Sequence, residues 1–123
     1  MAEKEVLTLY AKLQLDMITY EITNDIINIL GSKLHKIILY GSYARGDNDS
    51  ESDIDMMILA NLRNDEMSTF RKKINKVASK VGLEHDIMIS ISLRDKNFFD
   101  EYKNVLPFYR NISMEGIELY GSQ

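Results

Sequence analysis

A polar stretch from Gly41 to Asp55 lies between two short apolar runs, His35–Tyr40 and Met56–Leu59, and constrains the fold more than any other feature. Runs this short cannot cross a bilayer, which takes about 20 residues. Their aliphatic and β-branched content reads as strands buried in a sheet. The glycine ending the first run and the Asp-x-Asp opening the second bring both polar ends to one edge of that sheet. A sheet buried in this way needs helices to cover it, so the chain is expected to be α/β.

Composition narrows the class. At 123 residues the chain has the size of one domain and no room for a separate substrate domain. Its 45% hydrophobic and 28% charged residues exclude a disordered chain. The absence of cysteine excludes disulfides, thiolate metal sites and a cysteine nucleophile. With 19 acidic against 15 basic residues the net charge is −4, the wrong sign for direct nucleic-acid binding. The start Met1-Ala2-Glu3-Lys4-Glu5 is no signal peptide, so a cytoplasmic address without membrane contact is expected.

Apolar residues at Val6, Leu9, Leu13, Met17, Tyr20, Ile26, Ile27 and Leu30 predict a long helix over about 5–30, or two in succession, stopped at Gly31. A strand His35–Tyr40, a helical turn Ser42–Arg45 and a strand Asp53–Leu59 follow. A helix then starts at Asn64, with Met67, Phe70, Ile74, Val77, Ala78 and Val81 as its apolar face and Gly82 as its end. Glu84–Ile91 reads as a third strand, Ser92–Leu106 as a helix stopped by Pro107, Tyr109–Glu115 as a short helix and Ile117–Tyr120 as an edge strand. The expected architecture is a small mixed β-sheet with helices packed on it, a single domain over 1–123 with its core at about 35–91 and a helix and tail at 92–123.

Asp53 and Asp55 stand two apart on one strand and therefore share a face. Asp86, at the matching place on the third strand, is expected to project from that face too. Three converging carboxylates repel one another, which calls for raised pKa values or a bound cation, and hard oxygen donors suit Mg²⁺ or Mn²⁺. Gly41 lets backbone N–H groups approach an anion, Ser42 adds a hydroxyl, and Arg45 offers a charge-assisted contact to phosphate. Plainer readings exist for each: an aspartate capping a turn, or Arg45 pairing with Asp47, Asp49 or Glu51. Their joint occurrence favours the cation and phosphate reading. His35 and His85 are expected to be solvated or hydrogen-bonded, and Arg71, Lys72, Lys73, Lys76 and Lys80 to form a solvated helix face.

The run Gly41-Ser42-Tyr43-Ala44-Arg45-Gly46 through Ser52-Asp53-Ile54-Asp55, with Asp86 later, resembles the signature of the minimal nucleotidyltransferases of the DNA polymerase β superfamily. The resemblance covers about Ile37 to Ile89 and implies the polymerase β-like nucleotidyltransferase fold. It implies that Asp53, Asp55 and Asp86 hold Mg²⁺ or Mn²⁺, with Asp86 as general base, and that Gly41, Ser42 and Arg45 hold ATP or another nucleoside triphosphate. The implied reaction moves a nucleoside monophosphate to a hydroxyl. Because the chain carries no acceptor domain, the resemblance points to a partner protein as acceptor, such as a helical HEPN-type toxin, and to an antitoxin role. The alternative is a non-catalytic antitoxin or binding module that masks its partner. Leu9, Leu13 and Met17, or Phe98, Phe99 and Tyr102, offer apolar surface for that partner or for a homodimer.

Overall fold

The computed structural model describes residues 2–121. The first helix, α1 (Glu3–Leu30), is continuous over 28 residues, about 42 Å long. Only its second half packs. Ile18, Ile22, Ile26 and Leu30 form the buried row, whereas Leu9, Leu13, Met17 and Tyr20 are exposed. Ile26 and Leu30 lie on the stripe that the sequence predicts, whereas at Met17 that stripe falls one residue off the buried Ile18, about 100° around the helix. Both rows are apolar, and only the sheet beneath decides which one is covered.

The sheet has the order β3-β2-β1-β4 and is mixed, as expected. β1 (Leu34–Tyr40) pairs antiparallel with β2 (Ile54–Ala60) and with β4 (Ile117–Gly121), while β3 (Ile89–Asp95) runs parallel to β2. Central β2 is buried on both faces from Met56 to Ala60, which accounts for its unbroken apolar run. One face, through Ile37, Ile54, Met56 and Ile58, packs under α1 and α3 (Asn64–His85). The other, through Ile38, Met57 and Leu59, packs against Phe99 of α4 (Lys96–Tyr102) and Tyr109 and Ile112 of α5 (Pro107–Glu115). A four-residue helix, α2 (Ser42–Arg45), follows β1 directly. Among the described residues no helix is long and apolar enough to cross a membrane.

The largest departure from the sequence reading begins at Gly82. This glycine does not end α3, which continues through His85 and stops where Asp86 adopts φ 53°. Gly82 is instead a point of close approach, where a Cβ would lie 2.7 Å from the carbonyl oxygen of Ile87. β3 accordingly starts at Ile89 rather than Glu84 and runs to Asp95. Ser92 thus belongs to a strand, and the following helix starts only at Lys96, capped by the Asp95 carboxylate accepting the Phe98 N–H at 3.0 Å. Pro107 opens α5 in its first turn instead of closing a helix.

Candidate active site

The antiparallel register sets Tyr40 opposite Asp55, so the chain leaving β1 passes directly over that carboxylate. Gly41 sits there at φ 76°, ψ −157°, a conformation open to glycine alone. A Cβ on Gly41 would lie 2.5 Å from Oδ2 of Asp55. From Gly41 the chain turns into α2, whose first bonds run from the N–H groups of Ala44 and Arg45 to the Gly41 carbonyl, both at 3.1 Å. The N–H groups of Ser42 and Tyr43 precede any intrahelical partner and mark the anion-attracting start of the turn.

Burial pushes the Asp55 carboxyl above its ordinary value of 3.8, and the negative charge of Asp53 pushes it the same way, against the pull of Arg45. Asp53 is exposed and Asp55 half-buried. The two aspartates therefore act on one another, as their spacing predicts. Arg45 lies beside them, with Nε 3.1 Å from Asp47 and Nη1 3.4 Å from Glu115, both exposed surface pairs.

Asp86 is not on the third strand, where the sequence pattern puts it. It is exposed at the end of α3, before β3 begins, and it lines a hollow of about 450 Å³ with Gly82, Leu83 and Met88. Among the described residues the one trio of His and acidic side chains with ligand atoms within 4.8 Å of one another is Glu21, Glu84 and His85. That trio lies elsewhere, on α1 and α3, where His85 Nε2 is 3.4 Å from Glu21. The physical reason is the extra turn of α3 beyond Gly82, which moves β3 along the sequence and takes Asp86 off the strand.

The residues that β3 does bring to this face are Ser90, registered opposite Asp55, and Ser92, opposite Met57. Tyr40 joins them from β1. Burial raises its hydroxyl pKa, helped by Asp55 and opposed by a hydrogen bond to Ser92 and by Arg94. The alternation Ile89-Ser90-Ile91-Ser92-Leu93-Arg94 is the sequence signal for this strand.

The Asp55 shift sets a pH dependence. Its folded-state pKa lies above the unfolded value, so the folded chain binds the proton more readily, and stability from this group falls as pH rises through the folded pKa. Cation binding needs the ionised form and runs the opposite way. Where this pair holds the cation, the melting-temperature increment that Mn²⁺ with ATP adds is expected to shrink on acidification, beginning at a higher pH than for a carboxylate of ordinary value. Calorimetry with and without Mn²⁺-ATP over a pH series checks this, and an increment that holds constant down to pH about 4 contradicts it.

An anion-attracting turn laid over a pair of interacting carboxylates, at one end of a small mixed sheet, defines a nucleotide-handling α/β protein. A family model described as a nucleotidyltransferase domain matches residues 23–119, and the chain belongs to that family. The free first half of α1 lies outside the match. Two curated relatives from Methanocaldococcus jannaschii are both candidate protein adenylyltransferases by name. MJ0141 is 46% identical over 90 residues, 68% of this chain and 87% of the relative. MJ0604 is 34% identical over 100 residues, 78% of this chain and 92% of the relative. Among solved structures, a nucleotidyltransferase candidate from Sulfolobus solfataricus aligns with a TM-score of 0.58 and 16% identity, over 90% of this chain and 86% of that one. A toxin–antitoxin structure with AMP-PNP aligns with a TM-score of 0.51 and 22% identity, over 83% and 73%. These two likenesses establish the nucleotidyltransferase fold. The chain is a nucleotidyltransferase.

Proposed function

We propose that this nucleotidyltransferase moves AMP from ATP to a hydroxyl on a partner protein, with a divalent cation held by Asp53 and Asp55. The observation that supports the reading is the approach of Gly41 to the Asp55 carboxylate, which sets the turn after β1 over the aspartate pair. The relatives named as protein adenylyltransferases support adenylyl transfer and a protein acceptor. The toxin–antitoxin neighbour with AMP-PNP supports an antitoxin role, in which the partner is a toxin, of the HEPN type by the sequence resemblance. A single-domain chain acting in the cytoplasm fits this role.

In the proposed reaction the Ser42 and Tyr43 N–H groups and the Ser42 hydroxyl hold the triphosphate, and Arg45 adds charge once released from Asp47 and Glu115. Mg²⁺ or Mn²⁺, when bound, neutralises charge developing on the phosphate oxygens. Asp53 and Asp55 orient that cation. The acceptor oxygen bonds to the α-phosphorus while the bond to pyrophosphate breaks. A second reading, masking of the partner without transfer, draws support from the exposed α1 residues Leu9, Leu13 and Met17.

The test incubates the chain with α-labelled ATP, Mg²⁺ and co-purified host partners. Label on a partner polypeptide is expected, and its loss in Asp53→Ala/Asp55→Ala confirms the site. Partner binding without label, unchanged by the double substitution, establishes the masking reading instead.

A further inference from the structure

We infer that Glu21, Glu84 and His85 form a metal site that clips α1 to the last turn of α3, and that its ion is Zn²⁺. The ligand atoms of the three side chains all lie within 4.8 Å of one another. His85 Nε2 stands 3.4 Å from the Glu21 carboxylate. Bonds of about 2.0–2.1 Å directed to the corners of a tetrahedron separate two zinc ligands by about 3.4 Å, so this pair is already spaced to share an ion. The trio has no residue in common with the proposed nucleotide site.

Two helices hold these donors in place. Buried Ile18 and Ile22 fix the turn of α1 that carries Glu21, and buried Val81 and Gly82 fix the end of α3 that carries Glu84 and His85. A second crossing, Lys80 Nζ to Asp25 at 3.9 Å, ties the same two helices together about one turn away. Glu84 and His85 are consecutive and diverge by about 100° around α3. The Glu21 carboxylate from α1 gives their donor atoms a common meeting point. On a strand the two would point to opposite faces, so the site exists only because α3 continues past Gly82. The side chains of His85 and Glu21 are 21% and 34% exposed, which confines both, while exposed Glu84 leaves the meeting point open to an entering ion.

Charge and donor type select the ion. With the imidazole neutral the trio carries two negative charges, which one divalent cation balances. A protonated imidazole would offset only one of them, and Lys80 is turned to Asp25 instead. One imidazole nitrogen with two carboxylate oxygens suits Zn²⁺, with water at the fourth corner. Mg²⁺ prefers oxygen donors alone and retains its water, so it does not compete here.

The test titrates the untagged chain with Zn²⁺ by calorimetry, without nucleotide and in excess Mg²⁺. One ion per chain and a raised melting temperature are expected. Glu21→Gln, Glu84→Gln and His85→Gln are each expected to weaken binding by at least about 10²-fold, since loss of a direct ligand exceeds loss of a ligand's supporting hydrogen bond. Asp53→Ala/Asp55→Ala is expected to bind Zn²⁺ as the wild type does. Nitrogen NMR of the wild type reads the site without any substitution in it. The chain has two histidines, and Zn²⁺ is expected to shift Nε2 of His85 while leaving His35 unchanged, the two being assigned with His35→Gln. No Zn²⁺ binding, binding undiminished in His85→Gln, loss of the ion in Asp53→Ala/Asp55→Ala, or a shift at His35 alone overturns the inference. Each of those results leaves the nucleotidyl-transfer reading standing, which is tested by label transfer and not by Zn²⁺.

Discussion

Asp55→Asn is expected to lower nucleotidyl transfer by at least about 10²-fold while leaving the protein folded. The side chain keeps its shape, so β2 and its pairing with Tyr40 are undisturbed. What is lost is one of the two negative charges proposed to hold a cation, at the point where Gly41 brings the turn after β1 closest. Burial and the charge of Asp53 both disfavour the ionised Asp55 carboxylate in the unliganded protein. Removing that charge relieves the repulsion, so at neutral pH the unliganded variant should melt no lower than the wild type, and it should lose the increment that Mn²⁺-ATP adds. Transfer rates and calorimetry on the same preparations check both halves. A variant with near-normal transfer would remove Asp55 from the site, and one that melts far lower would make its role structural.

Gly41→Ala is expected to reduce transfer comparably by a different route. At φ 76°, ψ −157° a side chain is strained, at a cost of about 1–3 kcal/mol. In addition, its Cβ would lie 2.5 Å from Oδ2 of Asp55, so that carboxylate or the turn itself must shift. A displacement of about 1 Å in a catalytic group costs on the order of 10² in rate. Gly31→Ala supplies the control, since Gly31 also has positive φ, 54°, but a Cβ there meets nothing within 4 Å. Both variants should lose stability from backbone strain, Gly41→Ala the more because of the added overlap with Asp55, and only Gly41→Ala should lose activity. Equal activity in the two would mean that the Gly41–Asp55 approach does not position the reaction.

How much of this was legible beforehand varies along the chain. Around Gly41–Asp55 nearly all of it was, because local chemistry there leaves few choices: a glycine at a strand end, a short polar turn, and two aspartates on alternate residues of an apolar strand. At Gly82 local pattern and tertiary structure diverge. Glycine after an apolar-periodic stretch ordinarily marks a helix end, yet here it is retained inside α3 because the Ile87 carbonyl returns against it. With a helix end at Gly82, Asp86-Ile87-Met88 has the same acid-then-apolar pattern as the start of β2 and so predicts a neighbouring strand there. The stricter alternation lies one step later, from Ile89 to Arg94, and is the strand that forms. The N-terminal helix shows the same limit, since its two apolar rows differ by one residue and periodicity alone ranks neither.

By itself, the sequence determined the α/β class, the position of the Gly41–Arg45 turn, the Asp53 and Asp55 pair, and the closing edge strand. Each depends on residues close in the chain, whose backbone preferences and side-chain period act before any long-range contact forms. Only the tertiary structure decided that Ser90 rather than Asp86 stands beside Asp55. The parallel register of β2 and β3 is set across the whole of α3, by packing of Ile74, Val77 and Val81 against the sheet, and a shift of a few residues there changes which side chain reaches the site.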